Sequence, residues 1–189
     1  MKSRLHIAAA ALFLGLSGVS PVSVAEPDLH VNADSDWGVV TIKADMLVPA
    51  DAKTAWQVLT DYDNLARFVP EMESSRVISK PGQPKRVEQQ GKSGILSFLV
   101  PEYIVLQMDE KPVEQIRFKA ITGSVNSMRG EWRIVGTGNQ VRVLYNARII
   151  PLLPLPPLIG TSMIEDDVES KLSAVRREMV RRAAAARTY

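Results

Sequence analysis

No cysteine occurs anywhere in the sequence. That excludes disulfides, thiolate metal sites and lipid attachment through an N-terminal cysteine. Histidine is nearly as scarce, with only His6 and His30 present. A His-based triad, general base or His-rich metal site therefore has little to be built from. A glycine-rich phosphate loop is also missing. Gly136-Thr137-Gly138 precedes a strand pattern rather than a helix, which reads as a hairpin turn. No apolar run is long enough to span a bilayer, which takes about 20 residues. Ile7 to Val19 is the candidate, and it stops before Ser20 and Pro21.

That run has a different explanation. Lys2 and Arg4 form a charged start, and Ser23-Val24-Ala25 supplies small residues at the −3 and −1 positions of a cleavage site. The expected organisation is a signal peptide over 1–25, a flexible leader over 26–35 and one domain over 36–189. The alternative for the first segment is an uncleaved anchor. With cleavage after Ala25 the protein is expected to be periplasmic or secreted. Removing residues 1–25 takes away two of the 23 basic residues and none of the 21 acidic ones, leaving 21 against 21. The isoelectric point of 8.9 then belongs largely to the precursor. A neutral mature domain gives no global reason to expect a nucleic-acid partner.

From Trp37 to Val48 the pattern has period two, with Val40, Ile42, Ala44, Met46 and Val48 on one face, and it reads as a half-buried strand. Pro49 ends it. Asp51 then suits an N-cap, with Ala52, Ala55, Trp56 and Leu59 at helical spacing, and a second short helical turn is expected over 63–68. Strands are expected over 73–79, 85–92, 97–110, 114–121, 127–135 and 141–150, separated by Gly, Pro and Asn clusters short enough to imply antiparallel hairpins. In the last hairpin, pairing Trp132 with Val143 leaves one apolar and one charged face. Ile164, Val168, Leu172, Val175 and Met179 then make an apolar stripe on a long closing helix, with Ser162-Met163-Ile164-Glu165 as a capping box.

The order of one strand, two short helices, about six antiparallel strands and one long helix resembles the helix-grip plan of the START-like superfamily. "VPADAKTAWQVLTDYDNLARFVPEM" (48–72) is similar to its opening segment. "GSVNSMRGEWRIVGTGNQVRVLYNARIIP" (123–151) is similar to its closing hairpin. Within the superfamily the chain resembles the polyketide cyclase/dehydrase and coenzyme-Q-binding branch. The resemblance implies an α+β fold, with a curved antiparallel sheet of about six or seven strands gripping the C-terminal helix. It also implies a hydrophobic cavity between them. The candidate lining residues are Phe68, Phe98, Tyr103, Phe118, Met128, Trp132 and Tyr145, then Leu152, Leu155 and Leu158, then Ile164, Val168 and Leu172. For any one of these the alternative is plain core.

Carboxylate pairs at Asp61/Asp63 and at Glu165/Asp166/Asp167 suit either acid–base work or helix capping. Glu102, Gln107, Asn126 and Asn146 are candidates for buried polar groups. No catalytic residue, metal or cofactor is assigned. The expected function is an exported carrier for an apolar, lipid-like ligand such as an isoprenoid or quinone. The alternatives are a cyclase or dehydratase using the same cavity, and an envelope module docking through its proline–leucine stretch. "IIPLLPLPPLIG" (149–160) is expected to form the cavity's rim, with a transient membrane-surface contact there, or a closed lid.

Overall fold

A computed structural model describes residues 28–92, 101–155 and 159–187. It is an α+β, helix-grip arrangement. Eight strands form one antiparallel sheet: β1 (Leu29–Asp36), β2 (Val39–Val48), β3 (Met72–Val77), β4 (Arg86–Gly91), β5 (Ile104–Lys111), β6 (Gln115–Gly123), β7 (Val125–Val135) and β8 (Val141–Pro151). Their order across the sheet is β1-β2-β8-β7-β6-β5-β4-β3. Helix α1 (Ala52–Leu59) and a 3-10 turn (Tyr62–Arg67) carry the chain from β2 to β3 at the far edge, and α2 (Thr161–Ala186) packs on the concave side. Among the described residues no helix is long and apolar enough to cross a membrane.

Four expectations are corrected. The segment expected as a loose leader, with His30 in it, forms edge strand β1, paired with β2 from Leu29↔Met46 to Asp36↔Val39. Leu29, Val31 and Ala33 alternate with polar residues. Trp37 (φ 49°) and Gly38 (φ 76°) both take left-handed backbones, the two-residue hairpin geometry that matches strand twist. The count among the described residues is thereby eight strands. The strand expected over 97–110 begins at Ile104 among the described residues, past Pro101, which has no N–H to give a ladder. Trp132 pairs with Tyr145, and Val143 with Ile134. The register is thus two residues from the expected one, and a slip of two leaves every side chain on its expected face.

The fourth correction concerns the start of α2. Its N-cap is Gly160, with no side-chain cap. Glu165 does not close a capping box; its Oε1 accepts the Ala33 N–H at 2.8 Å. A free donor of the edge strand is thereby satisfied by the helix. Asp51 does cap α1, accepting the Thr54 N–H at 2.7 Å.

The five stripe residues of α2 are all buried. Such burial contributes roughly 1.5–3 kcal/mol per side chain as an upper bound. Two packed clusters result. One gathers Ile42, Ile104, Phe118, Met128 and Ile149 under Ile164, Val168 and Leu172. The other joins α1 (Ala55, Val58, Leu59) to Val175, Met179 and Ala183. Met108 and Trp132 pack against both.

Candidate functional site

Where the two clusters meet, between the sheet and the middle of α2, lies an apolar cavity of about 160 Å³. β6, β7 and β8 supply Phe118, Met128, Trp132 and Tyr145, and α2 supplies Val168, Leu172 and Val175. Trp132 and Tyr145 are cross-strand partners, and their ring centroids lie 4.4 Å apart. Phe118 stacks on Tyr145 at 6.1 Å. The Phe118 ring has room because Gly130 stands opposite it. A Cβ there would lie 2.5 Å from Phe118 Cζ and 2.3 Å from the Asn146 carbonyl oxygen.

The cavity has three polar features. Burial pushes the Tyr145 phenol well above the usual tyrosine range, and no hydrogen bond contributes to that shift. It therefore stays protonated, a neutral donor beside the cavity. Gln89 of β4 also lines the cavity, and opposite it in register stands Ser75, whose buried hydroxyl has no partner among the described residues. Lys171 of α2 is the third, only 9% exposed. Its Nζ meets Asp167 at 2.5 Å and Glu71 at 2.9 Å. Glu71 reaches it from a left-handed backbone (φ 62°), a conformation that costs a non-glycine residue about 1–2 kcal/mol. Burial raises the Asp167 carboxyl against the opposing pull of Lys171. Asp167 Oδ2 is buried with no partner among the described residues.

Tyr62 also lines the cavity, but its hydroxyl donates to Glu110 at 2.7 Å, and Glu110 in turn accepts Lys85 at 2.8 Å. Burial, then this bond, pushes its phenol up as well.

Of the expected lining residues, Phe118, Met128, Trp132, Tyr145, Val168 and Leu172 come together around this space. Ile164 is fully buried core beside it, and Leu155 packs against the same core cluster. Phe68 packs with α1 instead. Tyr103 is exposed, its hydroxyl 3.4 Å from Glu88, and Leu152 is 58% exposed. Phe98 and Leu158 lie outside the described residues.

The four polar candidates do not reach the cavity. Glu102 and Asn126 are exposed, and Asn126 donates to the Pro151 carbonyl at 2.9 Å. Gln107 and Asn146 line the sheet's outer face. Strand parity failed at Asn126 because a register shift between Val125 and Ser127 displaces it. Lys171 was detectable: it lies three residues after Val168 and four before Val175, on the apolar stripe itself. The Asp61/Asp63 pair is a structural tie. Asp61 accepts Asn64 and Arg182, both at 2.7 Å, and Asp63 accepts the Val77 N–H at 2.8 Å.

A larger concavity of about 810 Å³ opens on the outer face of the sheet, among Lys43, Arg117, Lys119, Arg129 and Arg148. It is wide and charged, so an apolar ligand belongs on the inner side.

A model of the family described as "Polyketide cyclase / dehydrase and lipid transport" matches residues 48–176. Solved structures share the fold. The Zhui aromatase/cyclase from Streptomyces sp. R1128 is similar at 20% identity over 77% of this chain and 94% of that one, with a TM-score of 0.60. The STAR-related lipid transfer protein from Xanthomonas axonopodis is similar at 13% identity over 82% and 94%, with a TM-score of 0.62. A START superfamily protein from Mycobacterium smegmatis is similar at 16% identity over 77% and 98%, with a TM-score of 0.58. No curated protein matches the chain.

Proposed function

Since the chain belongs to the polyketide cyclase/dehydrase and lipid transport family, we propose that it is an exported carrier for an apolar, lipid-like molecule, an isoprenoid or quinone in kind. It holds this ligand between the sheet and α2 and catalyses no reaction. The observation that carries this reading is the composition of the cavity: an aromatic and aliphatic wall with the neutral Tyr145 hydroxyl among its few polar groups. A carbonyl or hydroxyl oxygen on an otherwise apolar ligand accepts from that donor.

At about 160 Å³ the space is smaller than the roughly 300–1,000 Å³ that encloses a drug-sized molecule. It takes a single ring or one end of an elongated ligand. Met72, Met108 and Met128 stand in its wall, and their unbranched side chains can swing to enlarge it.

Native mass spectrometry and solvent extraction of the purified protein test the reading. A co-purified hydrophobe, and saturable binding of the fluorescent apolar probe N-phenylnaphthylamine, are expected. No extracted hydrophobe and no probe binding would overturn it. Export rests on the Lys2/Arg4 start and the Ser23-Val24-Ala25 site. Terminal sequencing of the protein from its producing cell then begins at Glu26, and a chain beginning at Met1 contradicts it.

One observation favours an enzyme of the cyclase or dehydratase kind. Asp167, its carboxyl raised by burial, sits against the cavity-lining Lys171 as a proton donor would. On that reading Asp167→Asn abolishes turnover of a polyketide-like substrate while probe binding persists. Glu102 and Asn146, both remote from the cavity, are not the residues to test.

A further inference from the structure

The outer face of the sheet and one end of the molecule carry a second pattern. Along one row of cross-strand neighbours, Arg148 of β8 pairs with Arg129 of β7, and Arg129 with Lys119 of β6. The row continues through Gln107 to Arg86 on one side, and through Thr41 to Asp34 on the other. Like charges set directly opposite one another destabilise a sheet. All three central cations are nonetheless exposed. The next row shows the contrast: Lys43, Asn146, Glu131, Arg117 and Asp109 alternate in sign, and Arg117 approaches Asp109 at 3.9 Å.

One pleat further toward the same end the surface turns apolar. Ile150 lies two residues beyond Arg148, and Ile121 two beyond Lys119, both exposed. Leu152 and Leu153 follow β8, Leu153 at 75% exposure. Trp37, at the β1–β2 turn beside the same end of β8, is 96% exposed. A tryptophan on a two-residue hairpin packs against nothing there. The cation row therefore stands about 7 Å behind Ile150 and Ile121, two residues at the strand rise, and about 13 Å behind Leu152, four residues on, and it spans about 10 Å over three strands.

We propose that this end docks on the surface of an anionic lipid bilayer, with Trp37, Leu152 and Leu153 at the interface and Arg129, Arg148 and Lys119 on the phosphates. The proposal rests on the carrier reading for its purpose, the passage of an apolar ligand between bilayer and cavity. Charge complementarity and layering select this occupant. A bilayer presents hydrocarbon beneath a layer of phosphate, in the order of the tip and the row. A nucleic acid presents phosphate with no hydrocarbon for Trp37, Leu152 and Leu153. Of the nearby acids, Asp34 and Asp36 on β1 and Glu102 lie to the flanks of the β6–β8 cations, and Glu131 of β7 lies in the next row, away from the tip.

Vesicle flotation tests it, with phosphatidylcholine alone against phosphatidylcholine mixed with phosphatidylglycerol. The full mature chain is expected to float with the anionic vesicles at low salt and to be released at high salt. Each cation near such a surface contributes about fivefold to partitioning, so Arg129→Ala/Arg148→Ala should bind about 25-fold more weakly. Brominated phosphatidylglycerol should quench tryptophan emission of the wild type and not of Trp37→Phe, a change that leaves the core untouched. Equal binding to both vesicle types, unchanged binding by the double arginine variant, or tighter binding to a labelled oligonucleotide than to the anionic vesicles would each overturn the proposal. N-phenylnaphthylamine titration of the same preparations reports the cavity separately. Lost docking with retained probe binding therefore sinks this inference alone, and lost probe binding sinks the carrier reading.

Discussion

The two halves of α2 do different work. The C-terminal half is packed and clamped. Val175, Met179 and Ala183 interlock with α1, Arg176 donates to the Leu47 carbonyl at 2.7 Å and pairs with Asp28, and Arg182 bridges Asp61 and Glu178, both at 2.7 Å. The N-terminal half covers the cavity: Ile164, Val168 and Leu172 close the other core cluster around it, and its polar ties are Glu165 to the Ala33 N–H, and Lys171 to Glu71 and Asp167. One helix is thus anchored at one end and faces a void at the other. The lesson is that dense packing and a binding space share one element when its stripe is continuous but its surroundings are not.

The largest expected effect comes from breaking the anchored half. Met179→Ala deletes a fully buried side chain and should cost about 3 kcal/mol, read by urea unfolding, with probe affinity unchanged. Lys171→Ala breaks the other half. It leaves Asp167 buried without its cation and should cost about 2 kcal/mol, less than a fully buried pair because Glu71 is exposed. Lys171→Ala/Asp167→Ala should recover part of that loss, and a double-variant loss equal to the sum of the Lys171→Ala and Asp167→Ala losses would show the pair to be uncoupled.

Acid should loosen the clamped half. Its hydrogen bond to Arg181 leads the causes that hold the Glu178 carboxyl down at about 2, against an ordinary 4.5. Its folded value lies below the unfolded one. The stabilisation is therefore complete above about pH 4.5 and is lost as pH falls toward 2. After discounting for solvent around Arg181, it amounts to about 1 kcal/mol. Glu178→Gln should flatten that part of the pH–stability curve. The smallest change is Tyr145→Phe, which removes one hydroxyl from the cavity half. It should weaken binding of a carbonyl-bearing quinone about fivefold, one neutral hydrogen bond, and leave the unfolding midpoint in place.

The apolar stripe of α2 was legible along both halves. The spacing of Val168, Leu172, Val175 and Met179 gives the buried stripe directly, since period 3.6 is a local property. The faces of β7 and β8 were legible too, because a two-residue error of register preserves them. β1 was not, because Leu29, Val31 and Ala33 alternate with His30, Asn32, Asp34 and Ser35 in a short, charged edge strand whose only strong signal is the Trp37-Gly38 turn. Glu165 looked like half of a capping box, and only the third dimension brings Ala33 to it from 132 residues away. Six lining residues could be named because they lie on apolar faces. Lys171 was passed over because a lysine is usually exposed, although its place on the stripe marked it.

The central claim is that the space between the sheet and α2 holds the ligand. Its most direct measurement is N-phenylnaphthylamine titration of the wild type beside Val168→Trp, which fills the cavity from the helix side. Leu172→Phe stands as a second filling variant should the larger ring strain the fold. Saturable binding by the wild type and its loss in a filled variant that keeps a cooperative unfolding transition is the predicted result. Equal probe affinity in wild type and filled variants would place the ligand elsewhere and contradict the account.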